Sequence, residues 1–278
     1  MNGRIIRAIA LKDLQEVRQN RMAWMPMLIL PLIFCVLLPA LLIILPQATN
    51  MSLESMTKGK SLQELLASMP PALRDAVAGL NEHQTLIVWM LGYIIAPMFL
   101  IMPIMVSSII GSESFVGERE RKTLEALLYT PATDHELFLG KVVAAVIPAV
   151  LVSWLSFAVY ALVLNLLGGS VMGRVWFPTP TWWPLMLWVT PAVSALGMIA
   201  AVLISSRVRT FMEAYQTTGM LVLPVALLMI GQLAGVVYLD AGTTFIVGAV
   251  VWLIDAGLIG LALRGFSRAA LTAKNIAA

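Results

Sequence analysis

The sequence predicts an all-α integral membrane protein with six transmembrane helices and both ends on the cytoplasmic side. Its 278 residues are 60% hydrophobic and only 12% charged, with a mean hydropathy of +0.90. A soluble domain carries roughly 25% charged residues, so at half that density a chain of this size could not cover its surface with polar groups. The apolar residues also fall in blocks long enough to cross a hydrocarbon core of about 30 Å, which takes about 20 residues of helix. Between those blocks, lysine and arginine alternate between abundance and scarcity, as a fixed membrane orientation requires.

The blocks predict six spans: Met22–Leu45, Leu86–Ile110, Leu137–Leu167, Trp183–Ile204, Ala214–Tyr238 and Gly242–Leu263. The first is too long for the apolar core of a cleavable signal, about 7–15 residues, and is expected to stay in the membrane. The third exceeds one bilayer thickness and is expected to start in the cytoplasm or to tilt. Prolines recur inside the spans, among them Pro97, Pro103 and Pro148. Neighbouring helices re-satisfy the carbonyls such prolines free, so local kinks are expected. With the N-terminus inside, inner segments hold 14 lysines and arginines and outer segments 4 (Lys58, Lys60, Arg74 and Arg174). Trp176, Phe177, Trp182 and Trp183 crowd the outer mouth of spans three and four as an interfacial belt.

Outside the spans, residues 1–21 read as an amphipathic interfacial helix. Ile5, Ile6, Ile9, Leu14 and Val17 share one face, opposite the basic residues. Residues 22–278 form a single six-helix membrane domain. Its outer segment, about 46–85, carries an amphipathic stretch (Leu62, Leu65, Leu66, Met69) stopped by Pro70–Pro71, and is expected to cap the outer mouth. A short basic turn, Ser205–Glu213, joins spans four and five.

The most informative segment is the inner loop after span two, about 111–136, which reads GSESFVGERERKTLEALLYTPATDHELFLGK as far as Lys141. Glu118 with Lys122, and Arg121 with Glu125, stand at i,i+4, the first pair with the acid first, the favoured order on a helix. Leu124, Leu127 and Leu128 make an apolar patch on the same short helix. Thr130–Pro131 stops it, and Thr133 with Glu136 supplies a capping box for the next helix. Read from the residues alone, this is either a solvated connector with weak surface ion pairs or a short helix built to be gripped from the cytoplasm.

The stretch GERERKTLEALLYTP (117–131), followed by Glu136 and Gly140–Lys141, closely resembles the signature of type-2 ABC (ATP-binding cassette) exporter permeases. A second stretch, SSRVRTFMEAYQTTGMLVLPVALL (205–228), is similar to that family's entry into its fifth span. The resemblance implies an ABCG-like exporter architecture, with the short outer segment a departure from members that carry a large outer domain. It further implies that Glu118, Arg119, Glu120, Arg121, Lys122, Thr123, Leu124, Glu125, Leu127 and Leu128 form a coupling helix docked on a separate ATPase subunit. ATP and Mg would then belong to that partner, and a second copy or a paralogue would complete the membrane dimer. The location implied is a cell membrane, taken as a bacterial or archaeal inner membrane. The chain has no G-x-x-x-x-G-K-[ST] stretch, so its own residues supply no phosphate loop.

Among other residues, Asp255 lies mid-way along span six, where an acid costs roughly 2.5–3.5 kcal/mol on insertion scales. It is either a translocation or proton-coupled group, or a polar contact inside the bundle. Gly231 and Gly235 stand at the G-x-x-x-G spacing that lets helices approach, within the subunit or between subunits. Gln216, Gln232 and Asn165 are expected to act as interhelical glue. Cys35 reads as a small apolar packing residue, and neither His83 nor His135 has metal-ligand spacing. No catalytic motif, no metal-ligand set and no phosphate-tracking basic stripe is present in the sequence, so nucleic acid is not an expected partner. Two other readings stay open at this level: a stand-alone secondary transporter, and a non-transporting membrane anchor of a signalling or resistance complex. The first would want inverted repeats or several intramembrane charges.

Overall fold

The computed structural model describes residues 3–49, 69, 71–121 and 132–265. Six helices in it are long and apolar enough to cross a membrane: span one Ala23–Ile44, span two Glu82–Glu120, span three His135–Met172, span four Trp182–Ser205, span five Phe211–Leu233 and span six Ala241–Ala262. An N-terminal helix, Gly3–Gln19, precedes them. No strand occurs among the described residues. An even number of crossings returns the chain to its starting side, which carries most of the lysines and arginines and is therefore the inner one.

Spans two and four form the centre. Of the 18-residue apolar stretch that marks each span, 83% is buried in span two and 61% in span four, against 17% in spans five and six, so the outer spans present their apolar faces to whatever surrounds the subunit. Two glycines bring the central pair together. A Cβ at Gly197 would lie 2.2 Å from the Ser107 Oγ and 3.0 Å from the Ile104 carbonyl. One at Gly111 would lie 2.8 Å from the Ala201 Cβ. Small residues let backbones approach closely, and in lipid that packing is a main source of helix association.

Span two is far from a regular helix. It runs as a π-helix over Val88–Ile94, a 3₁₀ turn over Ala96–Leu100, an α-helix over Ile101–Ser112 and a second π segment over Glu113–Gly117. Pro97 has no N–H to continue the ladder, so carbonyls one turn earlier lose their partners. Two aromatic side chains supply replacements. The Tyr160 hydroxyl from span three donates to the Leu91 carbonyl at 2.8 Å, and the Trp182 indole donates to the Gly92 carbonyl at 2.7 Å. Both rings are fully buried and pack on Phe99, with centroids 4.8 Å away. The expected rescue of proline-freed carbonyls thus takes place here through named side chains.

The structure differs from the sequence reading at several boundaries. Span two continues past Ile110 to Glu120, so residues 111–120 extend the membrane helix rather than open the loop. At 39 residues it rises about 58 Å at 1.5 Å per residue and must project beyond the bilayer. Span three likewise starts early, and the Thr133–Glu136 capping box expected from the sequence is formed there. Span five ends at Leu233, short of Tyr238. Span six starts on a reciprocal cap that the sequence reading missed: Asp240 Oδ1 accepts from the Thr243 N–H at 2.7 Å, while the Thr243 hydroxyl oxygen accepts from the Asp240 N–H at 2.8 Å. The Thr243 N–H and hydroxyl hold the Asp240 carboxyl below its ordinary range. This cap is therefore complete at neutral pH and is lost as pH falls through the depressed value.

In the outer segment, Met69 and the short helix Pro71–Val77 pack Leu73 and Val77 against Leu86, Val88 and Tyr93 of span two. Leu62, Leu65 and Leu66 lie outside the described residues.

Gly197→Ala is expected to destabilise the subunit by roughly 1–3 kcal/mol, the cost of overpacking a tight core. Thermal unfolding of the purified protein checks this; an unchanged midpoint would show that the central pair has room to spare.

Candidate functional site

The inner end of span two carries five charged residues in nine positions, Glu113 to Arg121, and among them they engage four other segments of the molecule. Because residues 113–117 are π-helical, the register turns and the charges fan out around the helix. Glu118 faces the N-terminal helix and the base of span three. Its carboxylate receives the Lys141 ammonium at 2.9 Å and also that of Lys12. Lys141 is fully buried, and it donates further to the Ser114 carbonyl at 2.6 Å, lies 3.5 Å from Asp13 and sits 5.1 Å from the centre of the Phe115 ring. Lys12 also reaches Glu16 at 3.0 Å. Glu113, itself buried, accepts from the Asn20 amide at 3.1 Å and pairs with Arg121.

The other two charges reach the opposite side. The Arg119 guanidinium donates to the carbonyls of Ser205 and, at 2.8 Å, Val208, at the inner end of span four. Glu120 accepts the Phe211 N–H at 2.9 Å, at the start of span five. That helix start is set by a Thr210–Glu213 capping box. The nine residues Glu113–Arg121 at the inner end of span two therefore hold the N-terminal helix and spans three, four and five in one joint.

The electrostatics suit a joint that stays ionised. Burial by itself lowers the proton affinity of Lys12, but Glu118, Asp13 and Glu16 outweigh it and raise the ammonium above its ordinary value. A raised value means that its contribution is complete below its unfolded-state value near 10.5 and fades only as pH climbs through the folded one. The ligand oxygens of Asp13, Glu16 and Glu118 lie within 4.8 Å of one another, a spacing that could suit a cation. The Lys12 and Lys141 ammonium groups already supply the positive charge there. Chemically the arrangement is a mechanical linkage: acids and bases neutralise each other and tie helices together.

Of the residues the sequence singled out, Glu118, Arg119, Glu120 and Arg121 are in this joint. Lys122, Thr123, Leu124, Glu125, Leu127 and Leu128 lie outside the described residues. The described partners of Glu118 are lysines on two other helices, while Arg121 pairs with Glu113 eight residues earlier on its own helix; both pairings come over and above the i,i+4 pairs expected from spacing. Sequence reasoning missed Asp13, Glu113 and Lys141. Asp13 did leave a signal: it stands four residues from both Ile9 and Val17, on the apolar face of the N-terminal helix, and all three are buried. That helix packs on the base of span three and is pinned by Asp13, which a helix lying only on lipid would not need.

Asp255 is buried in span six, and neither carboxylate oxygen has a hydrogen-bond partner among the described residues. Gln232 in span five is in the same condition. Asn165 joins the outer end of span three to the following loop, accepting from the Trp176 N–H at 3.1 Å and donating to the Phe177 carbonyl at 2.8 Å. Gly235 lies beyond the end of span five with φ +75°, so it terminates the helix instead of extending a face with Gly231.

Two outcomes are expected. Lys141→Met removes the buried one of the two cations, Lys141 and Lys12, that Glu118 and Asp13 share, and should cost roughly 3–5 kcal/mol, with Glu118→Gln in the same chain restoring part of the loss. Thermal unfolding of the single and double variants measures both. Asp255→Asn should leave assembly intact while altering transport, and wild-type transport by that variant would reduce Asp255 to a packing residue.

Compared with known proteins, the chain matches the family model described as ABC-2 family transporter protein over residues 7–271. No curated protein gave a significant match. The match takes in the N-terminal helix from its second turn, the inner joint and all six spans, and the chain belongs to the ABC-2 family of transporter proteins.

Proposed function

We propose that this membrane permease subunit of an ABC transporter exports its substrate using ATP hydrolysed by a separate nucleotide-binding subunit. In this reading the partner grips the coupling helix Glu118–Leu128, whose first four residues belong to the inner joint. ATP and Mg belong to the partner, and a second permease copy or a paralogue completes the pathway. The host membrane is a bacterial or archaeal inner membrane.

One observation carries the reading: residues 113–121 bind the N-terminal helix and spans three, four and five through side chains, at the point where the candidate coupling segment begins. A push on that segment would reach four helices at once. Transport by alternating access needs two packings of similar free energy and a lever that favours one of them. The irregular span two, tied to its neighbours at its inner end, fits that lever. Asp255, buried without a hydrogen-bond partner among the described residues, is the polar group we assign to the translocation route.

The test is co-purification with the ATPase subunit, comparing wild type with a variant carrying Glu125→Lys and Leu128→Asp. Wild type should form the complex and support coupled hydrolysis. The variant should weaken association roughly 30-fold, the loss of about 2 kcal/mol expected at an interface anchor. A wild-type chain that binds no ATPase, or a variant that behaves like wild type, would overturn the reading.

A further inference from the structure

A groove of about 520 Å³ runs between the N-terminal helix, span one and span three. Its size lies within the roughly 300–1,000 Å³ range of small-molecule sites. Leu28 and Leu32 of span one and Leu155 of span three form walls that are more than half exposed, while buried Cys35 forms part of the floor. Ser156 also lines the groove, but its hydroxyl is satisfied by the Val152 carbonyl at 2.7 Å, leaving the interior essentially apolar. The single charged group in the lining is Arg18, at the inner end. Among the described residues no carboxylate lies within salt-bridge distance of Arg18, in contrast to Lys12 on the same helix.

The dimensions match one leaflet. From Trp24 to Val36 the groove follows span one for about 18 Å of helix rise, against about 15 Å for half the hydrocarbon core. Its cation therefore sits at the depth of the inner headgroups, beside Trp24, a residue type favoured at that level.

We propose that this groove binds an anionic phospholipid of the inner leaflet, one acyl chain lying along spans one and three and the phosphate on Arg18. Charge decides between a lipid and a second copy of the chain. Copies related by a twofold axis along the membrane normal would bring the same arginine to the same depth, and like charges brought face to face oppose association. An anionic headgroup complements it. The site does not depend on ATP coupling, so it stands or falls separately from the transport reading.

The experiment places the full-length protein in phosphatidylcholine nanodiscs doped with phosphatidylglycerol bearing a photoactivatable acyl chain, and maps the labelled residues. Labelling should concentrate on the groove faces of spans one and three. Unlabelled phosphatidylglycerol should compete about fivefold better than phosphatidylcholine, the preference one arginine confers at a membrane surface. Arg18→Gln should abolish that preference and Arg18→Lys should keep it. Val159→Trp, which fills the groove, should remove the label while the protein still elutes as wild type does. Uniform labelling of the spans, an unchanged preference in Arg18→Gln, or equal competition by inorganic phosphate would overturn the proposal. So would label that falls as the protein-to-lipid ratio rises, because a second copy would then cover the groove.

Discussion

A fully buried ammonium group must be neutralised where it sits, and at Lys141 this requirement organises the inner half of the molecule. Its counter-charges come from the N-terminal helix (Asp13) and from the end of span two (Glu118), and a backbone carbonyl (Ser114) completes its shell. Losing any of these charges leaves the others short of neutralisation in a low-dielectric setting, where a broken pair is costly. The N-terminal helix is therefore held on span three, and span two is held on both. Arg119 and Glu120 then extend the same helix end to spans four and five through main-chain contacts.

The outer half is organised by a different need. Pro97 interrupts span two where water is absent, and the carbonyls it leaves are met by Tyr160 and Trp182. These are main-chain acceptors and aromatic donors, with no charge involved. Between the two ends, the contact of spans two and four is so close at Gly197 that even a methyl group would collide with Ser107. Span two is thus fixed at its inner end by ions, at its middle by glycine-limited packing and at its outer end by aromatic hydrogen bonds. Its π and 3₁₀ segments coincide with the outer and inner anchors, and the regular α-helical stretch Ile101–Ser112 between them carries the glycine-limited packing.

Much of this was legible in the chain. Length and continuity of the apolar blocks gave six spans within a few residues, because a bilayer sets a minimum helix length that sequence displays directly. The Thr133–Glu136 cap was legible because it is local, involving residues three apart. The Asp240–Thr243 cap was equally local and was overlooked beside a long apolar block. The tertiary pairs of Glu118 were not legible, since i,i+4 spacing offers a helical partner and says nothing of a lysine on another helix. The inner extension of span two was hidden by its charges, which resemble those of a solvated loop until their partners are seen.

The sequence by itself therefore determined class, topology and orientation, because these follow from transfer free energies of single residues and from loop charge, which add along the chain. Tertiary structure alone decided which charges are structural, which polar groups lack partners and where a lipid-sized groove opens. Those properties depend on distances between residues remote in sequence: Asp13 to Lys141, Tyr160 to Leu91, Arg18 to the walls of spans one and three. No pattern along one helix records them, since each arises where two or three helices meet.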